Sequence, residues 1–340
     1  VVTKRVQYLV QDCSISPSSI LVITFTKAAA TEMKERFTRL MEQQAQPPGG
    51  YGNVSFGTFH AVFFNILKLS YGFTVANIIT EETRRQYLKE SVDRMKLEID
   101  DENEFLTGIA GEISLIKNER IPLEHYYSSN CPEDVFRRIY REYQQVLMRK
   151  RKLDFDDMLV CTYELLKARP DICAGWQRRF RYILIDEFQD TSGMQWKNFR
   201  PLVVNSLSEG CRTMIVGDVK QSIYRWRNGD WSLLANEVER QFSSLGVNTV
   251  ILKNNWRSAP EIVNFNNTFF EKAVGMLTDL YIADAGGEVK EKTIAEAYQG
   301  LQQIPRKKKK GYVDIVFGPD KKAEGGENII LADLIAIIRD

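Results

Sequence analysis

Three acids crowd the end of an apolar run in "YILIDEFQDT", residues 182–191: Asp186, Glu187 and Asp190. An apolar strand ending in Asp-Glu is the Walker B arrangement, in which the Asp holds Mg²⁺ beside a nucleotide. The adjacent Glu is placed to take a proton from an attacking water. The alternative is an acidic turn or helix N-terminus, where carboxylates are favoured by the dipole. A second run, "IVGDVKQSIYRWRNGD" (215–230), also ends in chemistry: Gly217-Asp218, then Gln221, then Tyr224, Arg225, Trp226 and Arg227. Gln221 suits a γ-phosphate sensor. Aromatic and guanidinium groups clustered on a loop suit base stacking, worth roughly 1–3 kcal/mol per base whatever the sequence. For Trp226 alone, a buried anchor is the competing reading.

These residues need a scaffold that brings strand ends together. Continuous apolar runs recur at 20–26 ("ILVITFT"), 54–60 ("VSFGTFH"), 182–187, 213–218 ("TMIVGD") and 249–254 ("TVILKN"). Runs that are apolar throughout, rather than alternating, predict strands covered on both faces, as in a parallel sheet. Helical stretches such as "KAAATEMKERFTRLMEQ" (27–43) separate them, so the fold class is α/β. In such sheets ligands sit beyond the carboxyl ends of the strands, where the acids and the Gln fall.

Residues 81–175 differ: they are charged, poor in strand formers and helically periodic, as in "VFRRIYREYQQVLMRKRKL" (135–153). They predict a helical insertion. The expected organisation is a first α/β domain over 1–80 and 176–248, the insertion over 81–175, and the start of a second α/β domain over 249–340, continued by "GYVDIVF" (311–317) and a helix at 328–340. Between these, "GG" at 286–287 and "RKKKKG" at 306–311 suggest a mobile, basic loop, and "EFLTGIAGEISLIKNE" reads as packing within the insertion.

Composition restricts the function classes. The 340 residues are 44% hydrophobic and 27% charged with a net charge of +1, so any polyanion site must be local. No apolar stretch reaches the ~18 residues of a membrane span and no signal peptide opens the chain. The five cysteines are scattered without a C-x-x-C pair, which favours a reducing, cytoplasmic setting and argues against zinc or iron–sulfur ligation.

Six stretches taken together, "TFTKAAATEMKERF", "SFGTFHAVFFNIL", "LDFDDML", "LIDEFQDTSGMQW", "VGDVKQSIYRWRNGD" and "LKNNWRS", occur in the order and spacing of the UvrD/Rep/PcrA-type superfamily 1 DNA helicases. The resemblance covers roughly residues 1–265. "KQSIYRWR" is closer to the RecB/AddA branch, and "GTFHAVFFNIL" would suit UvrD or PcrA.

The resemblance implies a RecA-like P-loop NTPase sheet with a helical insertion, followed by the start of a second RecA-like domain. It implies ATP and Mg²⁺ as cofactors and single-stranded or duplex DNA as substrate, with 3′→5′ movement and a role in repair or recombination. Repair or helicase–nuclease proteins would be partners. By position, Asp186 and Glu187 would be the Mg²⁺-binding and water-activating pair and Gln221 the γ-phosphate sensor. Arg257 would be an arginine finger, and Trp256 would stack on the adenine. Phe25, Thr26, His60, Phe155, Tyr224, Trp226 and Arg227 would line the single-strand DNA track.

One part is missing. G-x-x-x-x-G-K-[ST], which cradles the phosphates in this family, is absent from the 340 residues. The family places it just before the helix that "TKRVQYLV" (3–10) resembles, and the chain opens on Val1 rather than Met. The expectation is therefore a piece from the middle of a helicase, without ATP turnover of its own. A scaffold that binds DNA but hydrolyses nothing is the alternative, as is the helicase part of a helicase–nuclease subunit.

Overall fold

The computed structural model describes residues 1–43, 52–97, 99–223, 229–284, 298 and 300–315. Two compact units divide it, Val1–Val247 and Asn248–Asp340.

In the first unit, α1 (Val2–Gln11) leads to β1 (Ile20–Thr24), α2 (Lys27–Glu42), β2 (Ser55–Thr58) and α3 (Phe59–Tyr71). Five helices follow: α4 (Glu81–Asp93), α5 (Glu102–Glu119), α6 (Glu133–Arg149), α7 (Phe155–Ala168) and α8 (Pro170–Arg179). The chain then returns through β3 (Tyr182–Ile185), α9 (Gly193–Ser208), β4 (Thr213–Ile215), a π-helical turn at Leu233–Glu237 and α10 (Val238–Phe242). The sheet order is β2-β1-β3-β4. Every pairing is parallel, so all four strands end at one edge.

The continuous apolar runs are explained by what covers them. Leu21, Ile23, Ile183 and Ile185 face a core with Phe59, Phe63, Phe199 and Leu202. Ile20, Val22 and Leu184 face the other layer, with Val6, Phe37 and Met41. Successive residues point to opposite faces and both faces are dry, so alternation has no reason to exist. A third cluster stands apart: α4, α5 and α6 pack around Leu88, Ile109, Ile113, Phe136, Ile139 and Tyr143. By contrast α7 and α8 contribute Met158, Leu159, Leu165 and Trp176 to the first core, under the sheet.

Side-chain caps begin α2, α3 and α7. Thr26 caps α2 by accepting from the Ala29 N–H, and Thr58 caps α3 by accepting from the Ala61 N–H. Asp154 caps α7 with a reciprocal box through Asp157. Each satisfies an otherwise orphaned donor of the first turn.

The second unit holds β5 (Asn254–Asn255), α11 (Pro260–Asp284) and β6 (Ile304–Pro305), with β5 and β6 parallel. Here the structure corrects a sequence expectation. "TVILKN" is not a strand over its length: only Asn254 is in β5, and Val250, Ile251 and Leu252 are exposed. Among the described residues of this unit no layer covers those side chains, so the apolar run lacks the burial that would stabilise an extended central strand. Residues 311–315 carry no regular structure, while the expected helix at 328–340 and the glycines at 286–287 lie outside the described residues. Of the basic stretch, Arg306 donates to Asn254 Oδ1 and Lys307 to the Arg257 carbonyl.

Candidate active site

The carboxyl edge of the first unit's sheet collects most of the chemically equipped residues. Asp186 follows β3 directly, and its N–H donates to the Ile23 carbonyl on β1, which fixes the backbone at the strand tip. Glu187 comes next with φ 54°, in the left-handed region. That conformation costs a non-glycine residue of order 1–3 kcal/mol, and such strain collects where a side chain is held for use. Glu187 Oε2 accepts a 2.9 Å hydrogen bond from the hydroxyl of Thr24, the last residue of β1. The neighbouring strand therefore aims the acid.

Burial raises the Asp186 carboxyl above its ordinary range, against the Glu187 N–H that favours its charge, and the Glu187 carboxylate adds to the rise. Asp190 is pushed up to about 6, first by burial and then by the charge of Glu187, with the Gln189 amide opposing. Asp190 Oδ1 and Thr191 Oγ1 are buried without hydrogen-bond partners among the described residues. Two acids at a strand tip fit Mg²⁺, which takes one or two carboxylates and completes its shell with phosphate oxygens and water. The described residues contain no cluster of three or more metal-ligating side chains.

Gln189 joins the tips of β3 and β4. Its Oε1 accepts from the Asp218 N–H at 3.1 Å, and its carbonyl accepts from Ser222 Oγ. Gly217 leaves room for this approach: a Cβ there would lie 2.8 Å from Gln189 Oε1 and 2.7 Å from Leu234 Cδ2, so both side-chain ends would have to shift. Asp218 in turn accepts from the Gln221 amide at 2.9 Å and pairs with Lys220 at 2.7 Å. Burial would raise Asp218, but the hydrogen bonds from Lys220 and Gln221 outweigh it and hold the carboxyl low. Gln221 itself is exposed.

Further along the same edge, beyond β2, His60 meets Phe155 edge to face, with ring centroids 5.6 Å apart. Burial lowers His60 below its ordinary range, against the attraction of Asp156, so the ring is neutral at neutral pH. Phe155 is 41% exposed. Phe25 is half-buried and Thr26 exposed, both just past the tip of β1. Tyr224, Trp226 and Arg227 lie outside the described residues. Trp256 and Arg257 belong to the second unit, where Trp256 is 73% exposed. Asn255 Oδ1 accepts from the Arg257 and Ser258 N–H groups ahead of α11.

The sequence reading named no role for Thr24, Gln189 or Asp218. The "FQD" triplet after the acids, with Gln189 next to a buried Asp190, was the available signal for Gln189. Thr24 had none, because its partner is far along the chain. The region read as plain packing also holds more than packing. Lys117 Nζ lies 2.6 Å from Asp154 and 2.7 Å from Asp157, buried between α5 and α7.

A cavity of about 480 Å³ lined by Leu69, Arg169, Trp176 and Arg179 lies elsewhere. It opens at the last turns of α3, roughly 14 Å along that helix from His60. No carboxylate of the strand tips lines it.

Comparison with known proteins identifies the family. The UvrD/REP helicase N-terminal domain family matches residues 1–242. The chain is 32% identical over 278 residues to the ATP-dependent DNA helicase PcrA of Leuconostoc citreum, covering 78% of this chain and 35% of that protein. It is 29% identical over 279 residues to the probable DNA helicase II homolog of Mycoplasma capricolum, covering 80% and 37%. PcrA of Staphylococcus aureus strain COL gives 32% over 277 residues, covering 78% and 35%. The chain thus spans little more than a third of the length of these relatives. No described helix is long and apolar enough to cross a membrane.

Proposed function

Because the chain belongs to the UvrD/REP helicase family, we propose that it carries the hydrolytic acids and part of the DNA track of an ATP-dependent, 3′→5′ DNA translocase acting in repair or recombination. One observation supports this most: the carboxylates beyond β3 and the His60–Phe155 pair stand on one edge of one parallel sheet. Phosphate chemistry and a stacking surface are then joined by loops a few residues long. A shift at the nucleotide can reach the bases without passing through the core.

Mg²⁺, when bound with ATP, neutralises charge developing on the phosphates. Asp186 would hold it, with Glu187 adjacent. Thr24 occupies Glu187 Oε2, which leaves Oε1 to accept a proton from the attacking water. Gln221, now tied back to Asp218, would turn to the γ-phosphate. Arg257 would supply positive charge to the transition state and Trp256 a face for the adenine. His60 and Phe155 would line the single-strand DNA track together with Phe25, Thr26, Tyr224, Trp226 and Arg227.

The 340 residues contain no G-x-x-x-x-G-K-[ST], so by themselves they lack a backbone cradle for the phosphates. We expect them to bind single-stranded DNA without turning over ATP. Strand displacement by the complete gene product, on duplexes tailed at the 3′ or the 5′ end, tests the reading. Unwinding of the 3′-tailed duplex alone supports it. Preference for the 5′ tail, or unwinding without ATP, would overturn it.

A further inference from the structure

We propose that the buried ion cluster of Lys117, Asp154 and Asp157 is the positioning device for Phe155, so that DNA contact at Phe155 depends on Lys117 from the helical insertion. The inference rests on the reading of Phe155 as a base-stacking residue.

The segment Asp154–Asp157 is held side chain by side chain from three other helices. Asp154 Oδ2 accepts from Lys117 Nζ at 2.6 Å and from Tyr143 Oη at 2.8 Å, which brings in α5 and α6. Asp154 Oδ1 accepts from the Asp157 N–H at 2.7 Å, closing the cap of α7. Asp157 Oδ1 takes the other side of the Lys117 ammonium. Asp156 accepts from Ser114 Oγ at 2.6 Å and Asn118 Nδ2 at 2.7 Å, both on α5, and pairs with Arg84 of α4 at 3.4 Å.

Three of the four side chains are therefore anchored inward, on the body formed by α4, α5 and α6. Phe155 is the fourth. It is the one of the four that is exposed, at 41%, with its ring against His60.

Lys117 is 4% exposed, and a buried ammonium between two carboxylates has a narrow choice of geometries. It sets where the first turn of α7 sits, and with it the angle at which the Phe155 ring meets His60. A cluster that only held helices together would lower stability when broken but would change DNA affinity independently of Phe155. A positioning cluster acts through Phe155 and loses its effect when that ring is gone.

The test is a double-substitution cycle on the 340-residue chain, read as affinity for a fluorescein-labelled oligothymidylate. Thermal unfolding fixes a temperature at which every variant is folded. Phe155→Ala weakens binding roughly fivefold or more, as expected for a lost stacking platform. Lys117→Met is expected to weaken it comparably, and to add nothing in the Phe155→Ala background. Tyr143→Phe, which removes one donor to Asp154 at almost constant shape, shows the same pattern more weakly and serves if Lys117→Met fails to fold. Equal losses in both backgrounds, or wild-type affinity in both Lys117→Met and Tyr143→Phe, overturn the inference while the stacking role of Phe155 survives. If Phe155→Ala binds as wild type, or wild type does not bind, the reading of Phe155 fails and takes this inference with it.

Discussion

The Thr24 hydroxyl at the end of β1 donates to Glu187 Oε2 at 2.9 Å, across the pairing of two parallel strands. Thr24 is buried and has no charge to contribute, so its effect is to fix the direction of the acid. Thr24→Val keeps the shape and removes the donor. In the complete gene product this is expected to lower kcat about tenfold, an ordinary share of general-base catalysis, with KM for ATP unchanged. An unchanged kcat would show that Glu187 is aimed by something else.

Glu187 is strained as well as aimed. Its φ of 54° is tolerated better by Asn than by Glu. Glu187→Asn is therefore expected to raise stability by about 1 kcal/mol while abolishing hydrolysis. Denaturant unfolding of the 340-residue chain measures the first half. A loss of stability would mean that the Thr24 contact outweighs the backbone strain.

Gly217 is favoured by contact rather than by dihedral angle. Gly217→Ala would drive a methyl into Gln189 and Leu234 at under 3 Å. A loss of about 1–3 kcal/mol is expected, together with loosening of the Gln189–Asp218 link between strand tips. Wild-type stability in a thermal melt would contradict the tight approach.

The acids around Lys117 titrate in opposite directions. Burial would raise Asp154, but the Lys117 ammonium and the Arg84 guanidinium outweigh it and hold it at about 2. Burial and the Asp154 charge push Asp157 up to about 6, against the same ammonium. An unfolded Asp titrates near about 3.9. Asp154 therefore contributes stability above about pH 4 that is lost as pH falls towards 2. Asp157 carries a penalty above about pH 6 that disappears as pH falls to about 4. Asp154→Asn should cost about 3 kcal/mol at pH 7. Asp157→Asn should gain on wild type by about 3 kcal/mol between pH 4 and pH 8. Unfolding curves across that range check both, and a gain in the reverse direction would contradict the assignment.

The first sheet was legible because its central strands, Ile20–Thr24 and Tyr182–Ile185, are buried on both faces and write that into sequence as unbroken apolar runs. The same signal misled at Val250–Leu252, where apolar residues lie exposed in the second unit. Local pattern reports what a residue is, and the layer that covers it comes from elsewhere. The site divides similarly. Asp186, Glu187 and Gln221 could be singled out because residue type and position beyond a strand mark them. Thr24 and Lys117 could not, since each acts on a carboxylate more than thirty residues away in sequence.

The most direct measurement is DNA-stimulated ATP hydrolysis by the complete gene product, with and without Glu187→Gln. Hydrolysis is expected to rise when single-stranded DNA is added. Glu187→Gln should abolish it while ATP and DNA still bind. Hydrolysis undiminished by Glu187→Gln would contradict it, because the acid at the tip of β3 would then not be the residue that activates water.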